Sequence, residues 1–150
     1  LDKSVRDCGI IIPTSALRDE GASFHNAPPS EEIEVNPKYR EEFIEILNRH
    51  KCAYAQGKVW TTDAFYRETP EKAARRRARG CICVDMECSA VAALAQFRGK
   101  EVFQFFHGSD CLDGEDWEVW GLSQNSNITG KDKAALLALE LAAKLAERTG

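Results

Sequence analysis

Three short segments carry the residues best suited to chemistry in this sequence. They are Asp63-Ala64-Phe65-Tyr66, Asp85-Met86-Glu87 and Gly108-Ser109-Asp110, and each lies just after a predicted strand. The carboxyl ends of parallel strands share one edge of a sheet, and ligands bind beyond that edge. We therefore expect the three segments to meet there and to offer carboxylates and aromatic rings to one ligand.

These residue types suit a nucleoside, which combines a planar base, two adjacent ribose hydroxyls and a glycosidic bond. The carboxylate of Glu87 can accept hydrogen bonds from both hydroxyls, and the ring of Phe65 or Tyr66 can stack on the base. Asp110, as a protonated acid, can donate a proton to the departing base while the sugar gains oxocarbenium character.

Each of these side chains also has a purely structural explanation. Glu87 can satisfy the exposed amides of a helix start, and Phe65 and Tyr66 can be core or rim aromatics. Asp110 can be a turn residue, as Asp113 is before Gly114. Residue chemistry alone therefore leaves both explanations open.

Strands and helices that alternate along the chain would position these segments. The predicted strands are Cys8–Pro13, Ala53–Gln56, Lys58–Thr62, Cys81–Val84 and Val102–Phe106. Residues Ser15–Asn36 show no regular periodicity and contain Gly21 and the pair Pro28-Pro29, so a long loop is predicted there. Loops of this length inside a compact domain are usually functional.

Capping residues and apolar stripes predict four helices between and after the strands. Asn36 is the expected cap of the first, Thr69 and Gly80 bound the second, and the third runs from about Glu87 to Phe97. The third helix has Ala90, Leu94 and Phe97 on one side, and the fourth, Lys131–Arg148, has the stripe Leu137, Leu141 and Leu145. This alternation predicts an α/β fold with a mostly parallel sheet.

Composition narrows the class of protein. The 150 residues are 43% hydrophobic, which fits one globular domain over residues 1–150. The net charge of −4 disfavours nucleic acid or an anionic membrane as a partner, and no apolar run approaches the roughly 20 residues that cross a bilayer. Six cysteines lie mostly in apolar runs without zinc-site spacing, so we expect reduced thiols, no metal and a cytoplasmic location, with Cys81 and Cys83 on one face of a strand.

Four stretches in order resemble the purine and uridine phosphorylase superfamily, over nearly the whole chain. They are Ile10-Ile11-Ile12-Pro13 with Ala16–Ser23, then Gly21–Pro28, then Gly57-Lys58-Val59 with Thr62–Tyr66, and Val84–Ala90. The resemblance implies the superfamily's three-layer α/β fold, in which helices flank a mostly parallel or mixed sheet. It also implies that Met86 packs beneath the ribose, that Glu87 binds its hydroxyls, and that Phe65, with Tyr66 beside it, stacks on the base.

The same resemblance gives two different indications of which base is bound, a purine or uracil. Ser109-Asp110 resembles the pair of the purine-acting members, in which the aspartate donates a proton to the purine. The loop Gly21–Pro28, whose His25 would approach the ribose or phosphate end, is closer to uridine enzymes. Those enzymes place a glutamine and an arginine shortly after the Phe-Tyr pair, whereas here Arg67 follows at once and the next glutamine is Gln96. We therefore expect a purine nucleoside, with uridine as the alternative.

The superfamily's glycine-rich phosphate loop, its phosphate-binding arginines and its first strands have no counterpart after Leu1. The resemblance thus implies the carboxyl-terminal part of a domain whose N-terminal strands are missing. The expected reaction is phosphorolysis of the N-glycosidic bond to free base and ribose 1-phosphate, with inorganic phosphate as co-substrate and no cofactor. The alternatives are hydrolysis, or a truncated module that binds only nucleosides or a partner chain. An exposed sheet edge would favour a homo-oligomer.

Overall fold

The chain alternates strands and helices, as predicted. A computed structural model describes Val5, residues 9–108 and 132–148, and the backbone of residues 110–111, 118–119 and 128–131. The strands are β1 (Ile10–Asp19), β2 (Glu32–Glu34), β3 (Tyr54–Thr62), β4 (Cys81–Asp85), β5 (Phe106–His107), β6 (Asp110–Cys111) and β7 (Glu118–Val119). The helices are α1 (Arg40–Arg49), α2 (Pro70–Ala78), α3 (Cys88–Arg98) and α4 (Ile128–Ala146), and short 3-10 turns span Ala22–His25 and Phe65–Arg67.

A mixed sheet with the order β2-β1-β3-β4 forms the centre of the fold. Strands β1, β3 and β4 are parallel, whereas β2 and β5 pair with β1 in the antiparallel direction. The register pairs Asp19 with Thr62 and Thr61 with Asp85, so the three parallel strands end side by side. The predicted α/β class with a mostly parallel or mixed sheet is confirmed. Strands β6 and β7 form a separate antiparallel pair.

The prediction of a strand over Val102–Phe106 is wrong in extent and direction. Only Phe106–His107 pairs with β1, and it pairs antiparallel to the first residues, with Ile10 opposite His107. The backbone before it bonds to a side chain instead: Gln104 donates its N–H to Asn36 Oδ1 at 2.7 Å and accepts from Asn36 Nδ2 at 2.6 Å. Gly108 therefore leaves the sheet at the amino end of β1 and does not join the other two predicted segments.

The loop predicted over Ser15–Asn36 is shorter than expected. Strand β1 continues to Asp19, and β2 and a 3-10 turn occupy part of the remainder. The sequence conceals the second half of β1 because that half is covered on both faces. Ala16 packs with α3, Leu17 packs towards α2, and the next residue, Arg18, is a charged side chain that is nonetheless buried.

Two register shifts bend the parallel strands. One extra residue lies in β1 between Pro13 and Ser15, and one lies in β4, where Lys58 and Val59 of β3 face Cys81 and Cys83. A bulge reverses which face each later side chain points to. Cys81 consequently packs in the cluster with α2 and Cys83 packs towards α3, so the expectation that they share a face is wrong.

Helices cover both faces of the sheet. Consecutive residues of β1 point to opposite faces, so α2 and α3 lie on opposite sides. Helices α1 and α4 pack together over the first half of β1, and the predicted α4 stripe is confirmed, with Leu137 and Leu141 buried. The predicted α3 stripe is wrong: Leu94 and Phe97 are exposed, whereas the buried face is Cys88, Ser89, Ala92 and Ala93.

Helix α1 begins later than predicted. Its N-cap position is Tyr39, in the left-handed region at φ 66°, and Asn36 is not its cap. Asn36 is buried instead, because its amide joins the backbone of Pro13 to that of Gln104. Within the described ranges, no helix is both long and apolar enough to span a bilayer.

Candidate functional site

The carboxyl ends of β1, β3 and β4 form one edge of the sheet, which the sequence marked as the place for a ligand. The segments that leave these strands begin at Glu20, Asp63 and Met86. Two of them are joined directly, since the Gly21 N–H donates to Asp63 Oδ2 at 3.0 Å. The structure therefore places two of the three predicted segments at this edge, together with the predicted loop that follows β1.

The start of α3 is capped by Asp85 and not by Glu87. Asp85 Oδ2 accepts from the backbone N–H of Glu87 at 2.9 Å and from that of Cys88 at 2.6 Å, and its Oδ1 accepts from the Thr61 hydroxyl at 2.7 Å. Burial raises the pKa of Asp85 above its ordinary value, and these hydrogen bonds oppose that rise.

The side chain of Glu87 makes no hydrogen bond or ion pair with the described residues. Its side chain is exposed and makes no capping hydrogen bond, although Glu87 occupies the N-cap position of α3. The explanation of Glu87 as a cap is therefore wrong, because Asp85 performs that task. A free carboxylate at this edge can accept hydrogen bonds from two adjacent hydroxyls of a ligand.

Large apolar side chains are exposed in the segments that follow β3 and β4. Phe65 is 59% exposed, Tyr66 74% and Met86 41%, and the two aromatic rings meet edge to face at 5.6 Å between centroids. They are consequently not core residues. Exposed aromatic and thioether groups beside a polar edge suit a planar, partly apolar ligand.

The 3-10 turn after β1 carries two more exposed side chains, Phe24 and the predicted His25. The guanidinium of Arg18 lies 4.1 Å from the centre of the Phe24 ring. Arg18 also donates from Nε to Ser23 Oγ at 2.8 Å and from a terminal nitrogen to the Pro28 carbonyl at 2.7 Å. The predicted loop is therefore held to the strand by one buried arginine.

Glu20 is the second buried charge at this edge and was not recognised from the sequence. Its two carboxylate oxygens accept from the Ser89 hydroxyl at 2.7 Å and from the Ser23 N–H at 2.9 Å. Burial raises the pKa of Glu20, but these hydrogen bonds outweigh it and hold the pKa below its ordinary value. The available signal was a pair of charged residues two positions apart, Arg18 near the end of β1 and Glu20 directly after it.

Ser109 and the side chain of the predicted acid Asp110 lie outside the described residues, and the backbone of Asp110 is part of β6. Among the described side chains, no group of three or more His, Cys, Asp or Glu is arranged to hold a metal. The thiols described, those of Cys52, Cys81, Cys83 and Cys88, are free. Burial raises the pKa of Cys83 to about 12 and also raises that of Cys88, so both stay protonated and poorly nucleophilic.

A mixed α/β sheet whose parallel strands end in exposed aromatic, thioether and carboxylate side chains defines a class of small-molecule-binding folds. Within that class, the sequence profile of the phosphorylase superfamily matches residues 1–144. The chain belongs to the phosphorylase superfamily.

Solved structures with the same fold cover most of this chain. Purine nucleoside phosphorylase from Toxoplasma gondii, in complex with immucillin-H, aligns with a TM-score of 0.77 at 19% identity, over 95% of this chain and 58% of that one. AMP nucleosidase from Bacteroides thetaiotaomicron aligns with a TM-score of 0.72 at 16% identity, over 99% and 57%. Uridine phosphorylase from Vibrio fischeri gives 0.69 at 23% identity, over 90% and 56%. The chain thus spans a little over half the length of each.

Proposed function

We propose that this chain supplies the ribose and base contacts of a nucleoside phosphorylase-type enzyme. The observation that carries the proposal is the free, exposed carboxylate of Glu87 at the end of β4, beside the exposed Met86, on a helix start already capped by Asp85. Glu87 accepts hydrogen bonds from the two ribose hydroxyls, and Met86 packs against the sugar. Phe65 stacks on the base, with Tyr66 at its edge.

The proposed reaction is phosphorolysis of the N-glycosidic bond. Inorganic phosphate attacks the anomeric carbon, a carbon–oxygen bond forms as the carbon–nitrogen bond breaks, and the products are ribose 1-phosphate and the free base. In this proposal Asp110, with Ser109 beside it, donates the proton that the departing base takes up, which requires the segment after Gly108 to lie nearer the sheet edge than Gly108 itself does. His25 approaches the ribose or phosphate end. The hydrogen bonds that the ribose hydroxyls donate to Glu87 strengthen as positive charge develops on the sugar, which lowers the barrier.

Among substrates, a purine nucleoside is proposed first and uridine second. Similarity to a purine nucleoside phosphorylase and to a uridine phosphorylase supports the reaction class and leaves both bases in consideration. Hydrolysis is the second candidate reaction, because the fold is also similar to that of an AMP nucleosidase. A cytoplasmic location is proposed because the cysteines lie mostly in apolar stretches of the sequence, as buried reduced thiols do. A homo-oligomer is proposed as the working assembly.

Measurements of nucleoside binding test the role proposed for Glu87. Titration calorimetry with inosine, adenosine and uridine is expected to show binding, and Glu87→Gln should weaken it about 10- to 100-fold, because hydrogen bonds to a charged acceptor contribute roughly 1.5–3 kcal/mol. Glu41→Gln, at an exposed position of α1, is the matched control and should change nothing. Equal affinity of the Glu87→Gln and Glu41→Gln variants would remove Glu87 from the site.

Release of free base separates the candidate reactions. The protein expressed from its own reading frame should release base from a nucleoside only when phosphate is supplied, and Asp110→Asn should slow that release from purine nucleosides about 100-fold or more. Release without phosphate would support hydrolysis. Binding without release under either condition would support a non-catalytic nucleoside-binding module.

A further inference from the structure

We propose that Glu20, Thr61, Asp85 and Ser89 act as one positioning unit that sets the place of the Glu87 carboxylate and joins it to the 3-10 turn Ala22–His25. Of the four, only Asp85 belongs to a segment that the residue patterns singled out, and no positioning role was predicted for it. The proposal rests on the function proposed for Glu87 and names what gives that carboxylate its selectivity for the ribose hydroxyls.

The first half of the unit holds the start of α3 against β3. The Thr61 hydroxyl donates to Asp85 Oδ1 at 2.7 Å and accepts from the Ser89 N–H at 3.1 Å. The other oxygen of Asp85 accepts from the Glu87 and Cys88 N–H groups. The backbone of Glu87 therefore has a fixed position relative to two neighbouring strands, because Thr61 lies opposite Asp85 in the register of β3 and β4.

The second half continues to β1. The Ser89 hydroxyl donates to Glu20 Oε1 at 2.7 Å, and Glu20 Oε2 accepts from the Ser23 N–H at 2.9 Å. Thr61 and Ser89 are fully buried and Glu20 is 7% exposed, so water competes little for these bonds. The turn that carries Phe24 and His25 is thus linked to the helix start that carries Glu87.

The direction of every bond in the unit is determined. A hydroxyl has one proton to donate, and those of Thr61 and Ser89 are both used on carboxylates, Asp85 at one end and Glu20 at the other. Neither hydroxyl can rotate without leaving a buried carboxylate oxygen unpaired, which is costly. The unit therefore holds one arrangement, as a site that must present two oxygens to two adjacent hydroxyls requires.

Thr61→Val removes both bonds of the central hydroxyl with almost no change in side-chain volume. The measurement is the dissociation constant of inosine and of 2′,3′-dideoxyinosine, which lacks the two hydroxyls. We expect the unaltered protein to prefer inosine about 10- to 100-fold, since two hydrogen bonds to a carboxylate distinguish the ligands. In Thr61→Val that preference should fall at least about fivefold, while the affinity for the dideoxy ligand stays within about twofold.

Two variants control for simple loss of structure. Thr61→Ser keeps the hydroxyl and should retain the preference. Thr62→Val alters the neighbouring buried threonine, whose hydroxyl accepts only from the Ala64 N–H among the contacts described here, and should leave the ratio unchanged. If Thr61→Val does not fold, Ser89→Ala breaks the unit at its other hydroxyl and should give the same loss of preference.

The outcomes separate the two proposals. No preference for inosine in the unaltered protein would overturn the function proposed for Glu87, and the positioning role with it. A clear preference that survives in Thr61→Val or Ser89→Ala would overturn the positioning role alone. If Thr61 acts through Glu87, Thr61→Val should not lower the preference for inosine any further once Glu87 has been changed to Gln. A further drop in that preference in the double variant would count against the proposal.

Discussion

At the scale of single residues, the side chain of Asn36 joins two backbone segments by hydrogen bonds, as a paired strand would. Its Nδ2 donates to the carbonyls of Pro13 at 3.1 Å and of Gln104 at 2.6 Å, and its Oδ1 accepts from the Gln104 N–H at 2.7 Å. Its backbone is left-handed at φ 52°, a conformation that asparagine tolerates better than most residues. One side chain thereby ties the centre of β1 to the segment before β5.

Asn36→Ala is expected to lower the free energy of unfolding by about 2–4 kcal/mol, because three hydrogen bonds are lost and buried backbone groups stay unpaired. Urea unfolding followed by circular dichroism measures this. Asn48→Ala, at an exposed position of α1, is the control and should change stability by no more than about 0.5 kcal/mol. Similar stabilities of the two variants would contradict the bridging role.

The residue patterns indicated the exposed side chains at the sheet edge better than the buried polar ones. Phe65 and Glu87 were predicted because their types suit a ligand and because they follow strands, and the role of Met86 was implied by the resemblance. Asn36 was instead predicted to be a helix cap, and Glu20 was passed over. The reason is physical: a buried polar side chain is defined by partners far away in the chain, which no local pattern reveals.

At the scale of elements, β3 owes its continuity to a glycine. The sequence predicted two strands separated at Gly57, yet one strand runs through it. A Cβ at Gly57 would lie 2.9–3.2 Å from three carbons of the Ile82 side chain, the extra residue of the β4 bulge. The bulge and the glycine therefore require each other.

Gly57→Ala is expected to destabilise the protein by about 1–3 kcal/mol through this overlap. The cost should shrink when Ile82→Ala is combined with it, because the colliding carbons are then absent, so a double-mutant cycle in urea measures the coupling. Gly9→Ala is the control, since a Cβ there meets nothing within 4 Å. Additive effects at positions 57 and 82 would contradict the proposed contact.

Elements that depend on local signals were predicted well. The capping threonine and first-turn proline of α2 and the apolar stripe of α4 lie where expected, since both are encoded within a few residues. The two bulges, the second half of β1 and the antiparallel direction of β5 were not predicted. Each depends on pairing between distant segments, which also removed Gly108 from the predicted meeting point at the sheet edge.

At the scale of the whole molecule, buried and partly buried carboxylates whose pKa values are shifted in opposite directions shape the response to acid. Burial raises the pKa of Asp19 and Glu20, but hydrogen bonds from Lys72, Trp60 and Arg76 to Asp19, and from Ser23 and Ser89 to Glu20, hold both below their ordinary values. The pKa of Asp85 lies above its ordinary value of 3.8, because the effect of burial exceeds that of its hydrogen bonds. The first two carboxylates stabilise the fold in their ionised form, whereas ionising the third opposes folding.

The stability deficit of Glu20→Gln is therefore expected to be largest above the ordinary pKa of 4.5 and to shrink as the pH falls through the lowered folded-state pKa. Asp85→Asn should show the opposite trend. Its stability relative to the unaltered protein should increase as the pH rises from 3.8 through the raised folded-state pKa of Asp85. Urea midpoints between pH 3 and 7 test both. Parallel curves for the two variants would contradict the signs assigned to these groups.

Strand β1 contacts more of the molecule than any other described element, since it pairs with β2, β3 and β5 and contributes to all three apolar clusters. During synthesis β1 leaves the ribosome long before β5 and α4 have been made. The apolar run Ile10-Ile11-Ile12 therefore stays exposed until those elements can pack against it. A central strand completed last is slow to fold and prone to aggregate. Production of this chain in cells should consequently depend on chaperones and on slow translation more than its acidic, well-charged surface suggests.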